Sequence, residues 1–241
     1  MLIGRAAGVK DEPMGLLIDT VQTRRPPPFA GARAWLLAYA GAALLMLGVL
    51  WLMVSLRGGG PLGPDATASR WVSAGRGPIL TGAAGVLSFL GRYYVVAPLL
   101  GFVALCTWAL RERRVAPGAI ALMAVGGWVE LMKWVVGRPR PDAASALAEE
   151  AGFAFPSGHA AGTMVFCLLA IAAGRRILAG GAGRSVREAV LVFIPVAVGL
   201  SRVYLGVHYL SDVLAGWLLG AAWFCLCWWW VKGGDSARWH R

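Results

Sequence analysis

The chain has 241 residues, of which 58% are hydrophobic and only 15% are charged, yet its formal net charge is +11 at pH 7. This composition excludes a disordered chain, and a soluble domain of this length would carry about a quarter charged residues. Apolar spans joined by loops rich in Lys and Arg are instead typical of a membrane protein, and no compact basic patch favours nucleic acid as a partner.

The N-terminal part of the chain predicts a tail, one span and an outer segment. Residues 1–33 are polar and cationic, which indicates a cytoplasmic tail. Residues 34–56 contain no charge and are long enough for a first transmembrane helix, which needs about 20 residues. Between the first and second spans, residues 65–90 predict a short interfacial helical segment at the outer face, because their apolar part is too short to span alone.

Apolar runs separated by polar or cationic loops predict five further spans. The predicted fold class is therefore an all-α integral membrane protein with six transmembrane helices, the last five at about 93–110, 115–136, 157–173, 189–204 and 208–231. One membrane domain would occupy residues 34–231, followed by a second cytoplasmic tail at 232–241.

The distribution of cations predicts the orientation. With the N-terminus inside, the predicted inner segments hold 15 of the 23 Lys and Arg residues, and the outer segment 57–92 holds four. Because cytoplasmic loops are enriched in Lys and Arg, both termini are expected in the cytoplasm.

Three polar clusters lie at span ends, where charged groups cost free energy and therefore need a reason. Under the predicted topology all three fall at the outer face, which indicates one shared site. The clusters contain Lys133, Arg138 and Arg140; Ser157, Gly158 and His159; and Arg202, His208 and Asp212.

The first two clusters have the chemistry of a phosphate site. Lys133 and Arg140 supply positive charge, and the planar guanidinium fits phosphate oxygens. Ser157 and Gly158 stand at a predicted helix N-terminus, which attracts anions, and His159 could act there as an acid or a base. Taken separately, the cations could equally anchor a helix end, and His159 could serve only as a capping or hydrogen-bonding residue.

The third cluster predicts a nucleophile. His208 and Asp212 are four residues apart and share one helix face, so the carboxylate could fix the imidazole tautomer. A structural His–Asp pair is the alternative. Together with Arg202 and His159, this equipment suits phosphoryl transfer through a phosphohistidine. The clusters contain no group of several carboxylates of the kind that Mg²⁺ needs, which favours a mechanism without a metal or other cofactor.

The pattern Lys-x6-Arg-Pro, Pro-Ser-Gly-His and Ser-Arg-x5-His-x3-Asp, at residues 133–212, resembles the type 2 phosphatidic acid phosphatase family over about residues 93–231. The resemblance implies that His208 is the nucleophile, Asp212 its partner and His159 the general acid and then the base. By the same resemblance the phosphate is held by Lys133, Arg140, Ser157, Gly158 and Arg202. Arg138 is not part of the family's core pattern and is expected only in a weaker role at the rim of the site.

The resulting hypothesis is a lipid phosphatase at the outer face of a bacterial cytoplasmic membrane. Its substrate in the bilayer would be a lipid phosphate or diphosphate of the undecaprenyl diphosphate, phosphatidylglycerophosphate, phosphatidic acid or lipid A type. A lipid phosphotransferase that uses the same phosphohistidine is the main alternative. An anion transporter is disfavoured because the charges cluster at one face and no internal repeat is visible. The oligomeric state is left open.

Overall fold

The computed structural model describes residues 28–110, 115–142, 145–178 and 183–236, and this part of the chain is helical without any strand. The helices are α1 (Pro28–Leu56), α2 (Gly63–Ala74), α3 (Pro78–Leu90), α4 (Tyr93–Ala109), α5 (Val115–Met123), α6 (Val125–Val136), α7 (Gly158–Ile177), α8 (Arg184–Tyr204) and α9 (Leu210–Ser236). The all-α prediction is confirmed. The predicted tails lie largely outside the described residues, although α1 already begins within the first of them.

Helix α9 is the centre of the bundle and packs against both α1 and α7. Near the end of α9 the guanidinium of Arg33 lies 4.7 Å from the ring centre of Trp229, whereas the loop after α1 contacts Ser211 at the start of α9 through Arg138. Helices α1 and α9 are therefore antiparallel. Their contact surface joins the main apolar core, which also contains buried side chains of α4, α5 and α7.

A glycine allows α9 to approach the beginning of α7 closely. A Cβ atom at Gly216 would lie 2.5 Å from the carbonyl oxygen of Ser157 and 2.9 Å from the side chain of Ala160. Only a residue without a side chain fits this contact. The contact fixes the N-terminus of α7 against the first turns of α9.

The end of α6 is equally well defined. Gly137 adopts a left-handed conformation with φ of +60°, and its N–H donates to the carbonyl oxygen of Lys133 at 2.9 Å. Helices commonly end in this way, because glycine has no Cβ atom that would clash in the left-handed region of φ and ψ. The chain leaves the helix at Gly137, and the residues that follow it include both Arg138 and Arg140.

By length and composition, fewer stretches of the described residues qualify as spans than the six predicted. Four helical stretches qualify: Gly31–Leu56, Val115–Val136, Gly158–Ile177 and Leu210–Gly233. A fifth would be Pro78–Leu90 with Tyr93–Ala109, if this pair, bent by 49°, is one span. The prediction of exactly six is thus not confirmed, and α8, predicted as a span, carries charged residues near both of its ends. The bundle nevertheless exposes large apolar side chains such as Leu45, Phe102 and Phe193, as expected for a surface that faces lipid.

Residues 57–92 form two helices, α2 and α3, where one segment was predicted. Arg76, between them, donates to the carbonyl oxygens of Ser145 at 2.7 Å and Tyr204 at 3.1 Å. This segment is therefore attached to the residues that follow α6 and to the end of α8, next to two of the three sequence motifs. Its interfacial position remains a prediction.

Candidate active site

His208 and Asp212 lie together at the start of α9, and both side chains are buried. Nδ1 of His208 is 3.5 Å from Oδ2 of Asp212, which is long for a hydrogen bond. The same oxygen accepts the Tyr209 N–H at 2.8 Å. The carboxylate is thus ordered by the backbone and lies on the Nδ1 side of the imidazole.

Arg140 lies on the other side of the imidazole. Its Nη1 is 3.3 Å from Nε2 of His208 and donates to the carbonyl oxygen of Val207 at 2.9 Å. Further donation to the carbonyl oxygens of Gly152 and Ala151, at 3.0 and 2.9 Å, holds the guanidinium in place. Because arginine cannot accept a hydrogen bond, this contact favours a lone pair on Nε2 and the proton on Nδ1, beside Asp212.

The charge state of His208 follows from its surroundings. Burial lowers the pKa of His208, and the nearby guanidiniums of Arg140 and Arg202 lower this pKa further, against the opposing effect of Asp212. The imidazole is therefore neutral near pH 7, which is the form that can act as a nucleophile.

Arg202 is buried at the end of α8 and shares a carboxylate with Arg140. Its Nη1 donates to the hydroxyl of Ser88, and its Nη2 lies 2.5 Å from Oε1 of Glu150. The other oxygen of Glu150 is 3.8 Å from Nη2 of Arg140. Sequence reasoning missed Ser88 and Glu150, since neither belongs to a motif. A carboxylate thus lies between two of the cations expected to hold phosphate.

His159 occupies the first turn of α7, close enough to other charged residues of the site for their charges to act on it. These residues are Arg202, Arg92 and Lys133. Arg92, the residue before α4, was also missed because it falls outside the three motifs. The third predicted cation, Lys133, makes an ion pair of 2.7 Å with Glu130, one turn earlier on α6.

Ser157 stands immediately before α7, and Gly158 is the first residue of that helix. The Ser157 N–H donates to the carbonyl oxygen of Asp212 at 2.9 Å, whereas its hydroxyl makes no capping bond. Ser157 Oγ, His159 Nε2 and Arg202 Nε are buried and have no hydrogen-bond partner within the described part of the chain. Buried polar atoms usually have partners, so a phosphate group that met these atoms would be favoured.

Arg138 does not lie at the rim, where sequence reasoning expected it. Its side chain is fully buried, and Nη1 is 2.5 Å from Oδ1 of Asp212. An open cavity of about 670 Å³ lies instead beside Arg140 and Glu150, along the loop 146–152 and Gly206. The structure thus brings residues of all three motifs to one end of the bundle, next to this cavity.

Comparison with known proteins places the chain in a family. The model of the PAP2 superfamily matches residues 115–234, and a decaprenylphosphoryl-5-phosphoribose phosphatase of Mycolicibacterium smegmatis is 36% identical over 161 residues, or 65% of this chain and 82% of that protein. The chain belongs to the PAP2 superfamily. This confirms the resemblance found in the sequence.

Other PAP2 proteins extend the comparison. Phosphatidylglycerophosphatase B of Bacillus subtilis is 38% identical over 107 residues, which are 44% of this chain but only half of that enzyme's length. The crystal structure of a transmembrane PAP2-type phosphatidylglycerolphosphate phosphatase from Bacillus subtilis superposes with a TM-score of 0.65 at 25% identity and covers 82% of this chain and 96% of its own. That of Aquifex aeolicus LpxE, at 24% identity, has a TM-score of 0.53, covers 66% of this chain and 92% of its own, and shows the shared fold. Because these relatives are named as phosphatases, the prediction of a phosphatase is confirmed, whereas the substrate stays a prediction.

Proposed function

We propose that this protein is a lipid phosphatase that hydrolyses a lipid phosphate or diphosphate through a phosphohistidine on His208. The observation that carries the proposal is the position of this buried imidazole between Asp212 and Arg140. With the Nδ1 side facing a carboxylate and Nε2 facing a guanidinium 3.3 Å away, the nucleophilic nitrogen points to where a phosphate would bind.

In the first step, Nε2 of His208 attacks the phosphorus atom in line with the ester oxygen. The N–P bond forms while the P–O bond to the lipid alcohol or lipid phosphate breaks, and His159 protonates the departing oxygen. Asp212 stabilises the Nδ1–H side of the ring. The charge on the equatorial oxygens is stabilised by Lys133, Arg140, Arg202, Ser157 and the N–H of Gly158.

In the second step, water attacks the phosphohistidine. His159, now the base, takes a proton from this water, the N–P bond breaks, and inorganic phosphate leaves with His208 restored. Every proton transfer in this scheme uses a side chain of the chain itself, and the positive charge comes from Lys and Arg. We therefore propose that the reaction needs no metal ion and no other cofactor.

The substrate class follows from the relatives and from the position of the site. The relatives are named as phosphatases of phosphatidylglycerophosphate and of decaprenylphosphoryl-5-phosphoribose, which both present a terminal phosphate on a lipid headgroup. The cavity beside Arg140 and Glu150 could admit such a headgroup while the apolar chain stays in the bilayer. Phosphatidic acid, undecaprenyl diphosphate and lipid A phosphates belong to the same chemical class.

The orientation proposed is that of a multi-pass protein of a bacterial cytoplasmic membrane with both termini in the cytoplasm. Helix α7 begins at the site and ends with Arg175 and Arg176, whereas α8 begins with Arg184 and Arg187 and ends at the site. These four cations therefore lie at the end of the bundle opposite the site. The positive-inside rule then favours a site at the outer face.

The test is phosphate release by the purified protein in detergent, without any added acceptor alcohol. The panel contains phosphatidylglycerophosphate, phosphatidic acid, undecaprenyl diphosphate, decaprenylphosphoryl-5-phosphoribose and a lipid A phosphate. We expect inorganic phosphate from at least one of these lipids. Product that forms only after an alcohol acceptor is added would contradict hydrolysis and support a phosphotransferase.

A further inference from the structure

The guanidinium of Arg138 uses all of its hydrogen-bond donors inside the protein. Nε donates to the carbonyl oxygen of Gly59 at 3.1 Å, and Nη2 donates to that of Gly60 at 3.0 Å. Nη1 donates to Ser211 Oγ at 2.7 Å and to Asp212 Oδ1 at 2.5 Å. The fifth N–H, on Nη2, points to Asp65 Oδ2 at 2.9 Å. A guanidinium has five N–H donors, so none remains for a substrate phosphate.

Asp65, on α2, binds the other terminal nitrogen of this guanidinium, Nη2. Its Oδ1 accepts the N–H of Ser211 at 2.8 Å, and its Oδ2 accepts the Ser211 hydroxyl at 2.7 Å and the Leu62 N–H at 3.0 Å, besides Arg138. Burial alone would raise the pKa of Asp65, but the hydrogen bonds from Ser211, Leu62 and Arg138 lower it below its ordinary value. The carboxylate is therefore charged at neutral pH.

This network determines how the Asp212 carboxylate is presented. Arg138 binds Oδ1, which leaves Oδ2 as the oxygen that faces Nδ1 of His208. The carboxylate cannot rotate about its Cβ–Cγ bond without breaking the contact with Arg138. Arg138, in turn, is fixed by Asp65 and by the two carbonyl oxygens after α1.

We propose that Asp65 and Arg138 are positioning residues of the phosphatase site: Asp65 fixes Arg138, and Arg138 orients Asp212 toward His208. The inference rests on the proposed function of His208 and Asp212. Its consequence is that α2, which lies outside residues 115–234 matched by the family, is part of the catalytic unit. The segment whose role the sequence left open thus completes the site.

The isosteric change Asp65→Asn isolates this role. In Asp65 both carboxylate oxygens accept hydrogen bonds. In asparagine one of these oxygens is replaced by an NH₂ group, which cannot accept, so this group would face the donors that the oxygen binds in the native protein. Arg138 then loses a charged partner and its orientation on Asp212 relaxes. Because small displacements of catalytic groups are costly, we expect kcat to fall about 10- to 100-fold while KM changes less than about twofold.

A double-mutant cycle with Asp212→Asn distinguishes positioning from a general structural effect. If Asp65 acts through Asp212, Asp65→Asn should lower kcat in the otherwise native protein but cause almost no further loss in the Asp212→Asn background. Equal fold losses in both backgrounds would overturn the inference. The matched control is Thr107→Val. It removes a buried hydroxyl whose one hydrogen bond within the described residues is to the carbonyl oxygen of Ala104 in its own helix, and it should leave kcat unchanged.

Folding and the proposed function are separated by the same set of variants. Size-exclusion chromatography and thermal unfolding in detergent establish that each variant is folded. If Asp65→Asn does not fold, Ser211→Ala takes its place in the cycle. Its loss of kcat should be smaller, and should again nearly disappear in the Asp212→Asn background. If Asp212→Asn retains full activity, the proposed function fails and the inference with it. If Asp212→Asn lowers kcat but Asp65→Asn does not, only the inference fails.

Discussion

Replacement of Glu150 by Gln should strengthen the binding of phosphate-like anions. One oxygen of Glu150 lies 2.5 Å from Nη2 of Arg202 and the other 3.8 Å from Nη2 of Arg140. A substrate phosphate that binds both guanidiniums must displace this carboxylate. Glutamine has nearly the same shape but no charge, so the phosphate would compete against a weaker partner.

The size of the effect can be worked out from these distances. Two unit charges 4 Å apart attract each other by about 4 kcal/mol at an effective dielectric constant of about 20. The Glu150 carboxylate is a quarter exposed and loses hydration when it pairs with the guanidiniums. We therefore take about 1.5 kcal/mol for the net free energy of this pairing, which is the lower end for a hydrogen bond to a charged group. This corresponds to about tenfold tighter binding of the competing anion.

The assay is inhibition of phosphate release by vanadate, an analogue of the transition state. The matched control is Glu149→Gln, which changes the net charge equally at the neighbouring, exposed position of the same loop. We expect the inhibition constant to fall about tenfold for Glu150→Gln and to change little for Glu149→Gln. An unchanged or higher constant for Glu150→Gln would show that this carboxylate does not compete with phosphate.

Three further predictions concern pH, packing and metal ions. Because burial lowers the pKa of His208, the acidic limb of kcat/KM should have its midpoint below the ordinary histidine value of about 6.5, and a midpoint above that value would contradict the assignment. Gly216→Ala places a methyl group 2.5 Å from the Ser157 carbonyl oxygen and should destabilise the protein by about 1–3 kcal/mol and lower kcat, whereas Gly48→Ala, with open space around it, should do neither; equal melting temperatures would refute this reading. Phosphate release should continue in EDTA, and a loss of activity that Mg²⁺ restores would disprove a metal-free reaction.

The features that could be predicted from the sequence are those set by short-range spacing. His208 and Asp212 are four residues apart, and the chain between them can only bring them close once a helix begins there. The apolar runs likewise predicted most helices, because each helix must cover its backbone polar groups in lipid. The third span was predicted to end at residue 136, where α6 ends, and Gly137 and Pro139 follow it directly as residues that stop a helix.

The remaining features depend on contacts between residues far apart in the chain. Asp65 and Arg138 are 73 positions apart, and nothing near either residue signals their pairing. The burial of Arg138 was missed because its five acceptors come from three separate segments. Glu150 resembles any charged loop residue until the fold places it next to Arg202.

The number of spans also could not be fixed from the sequence: six were predicted, and by length and composition four or, with the bent pair, five stretches of the described residues qualify. Helix α3 has 13 residues, which are too few to span a membrane alone. The bend of 49° between α3 and α4 cannot be derived from the residues of these two helices. Whether such a pair acts as one span depends on packing, here against α7 and α8. Hydropathy alone does not contain that information.

The most direct test of the central claim is to trap the phosphorylated protein. The purified protein is mixed with a ³²P-labelled lipid phosphate, quenched within one turnover and digested for mass spectrometry. We predict a label that is stable in alkali and labile in acid, located on His208 and absent in His208→Ala. In His159→Ala the label should both form and hydrolyse more slowly, because His159 is the acid of the first step and the base of the second. Phosphate release by folded His208→Ala at the native rate, or a label on another residue, would contradict the account.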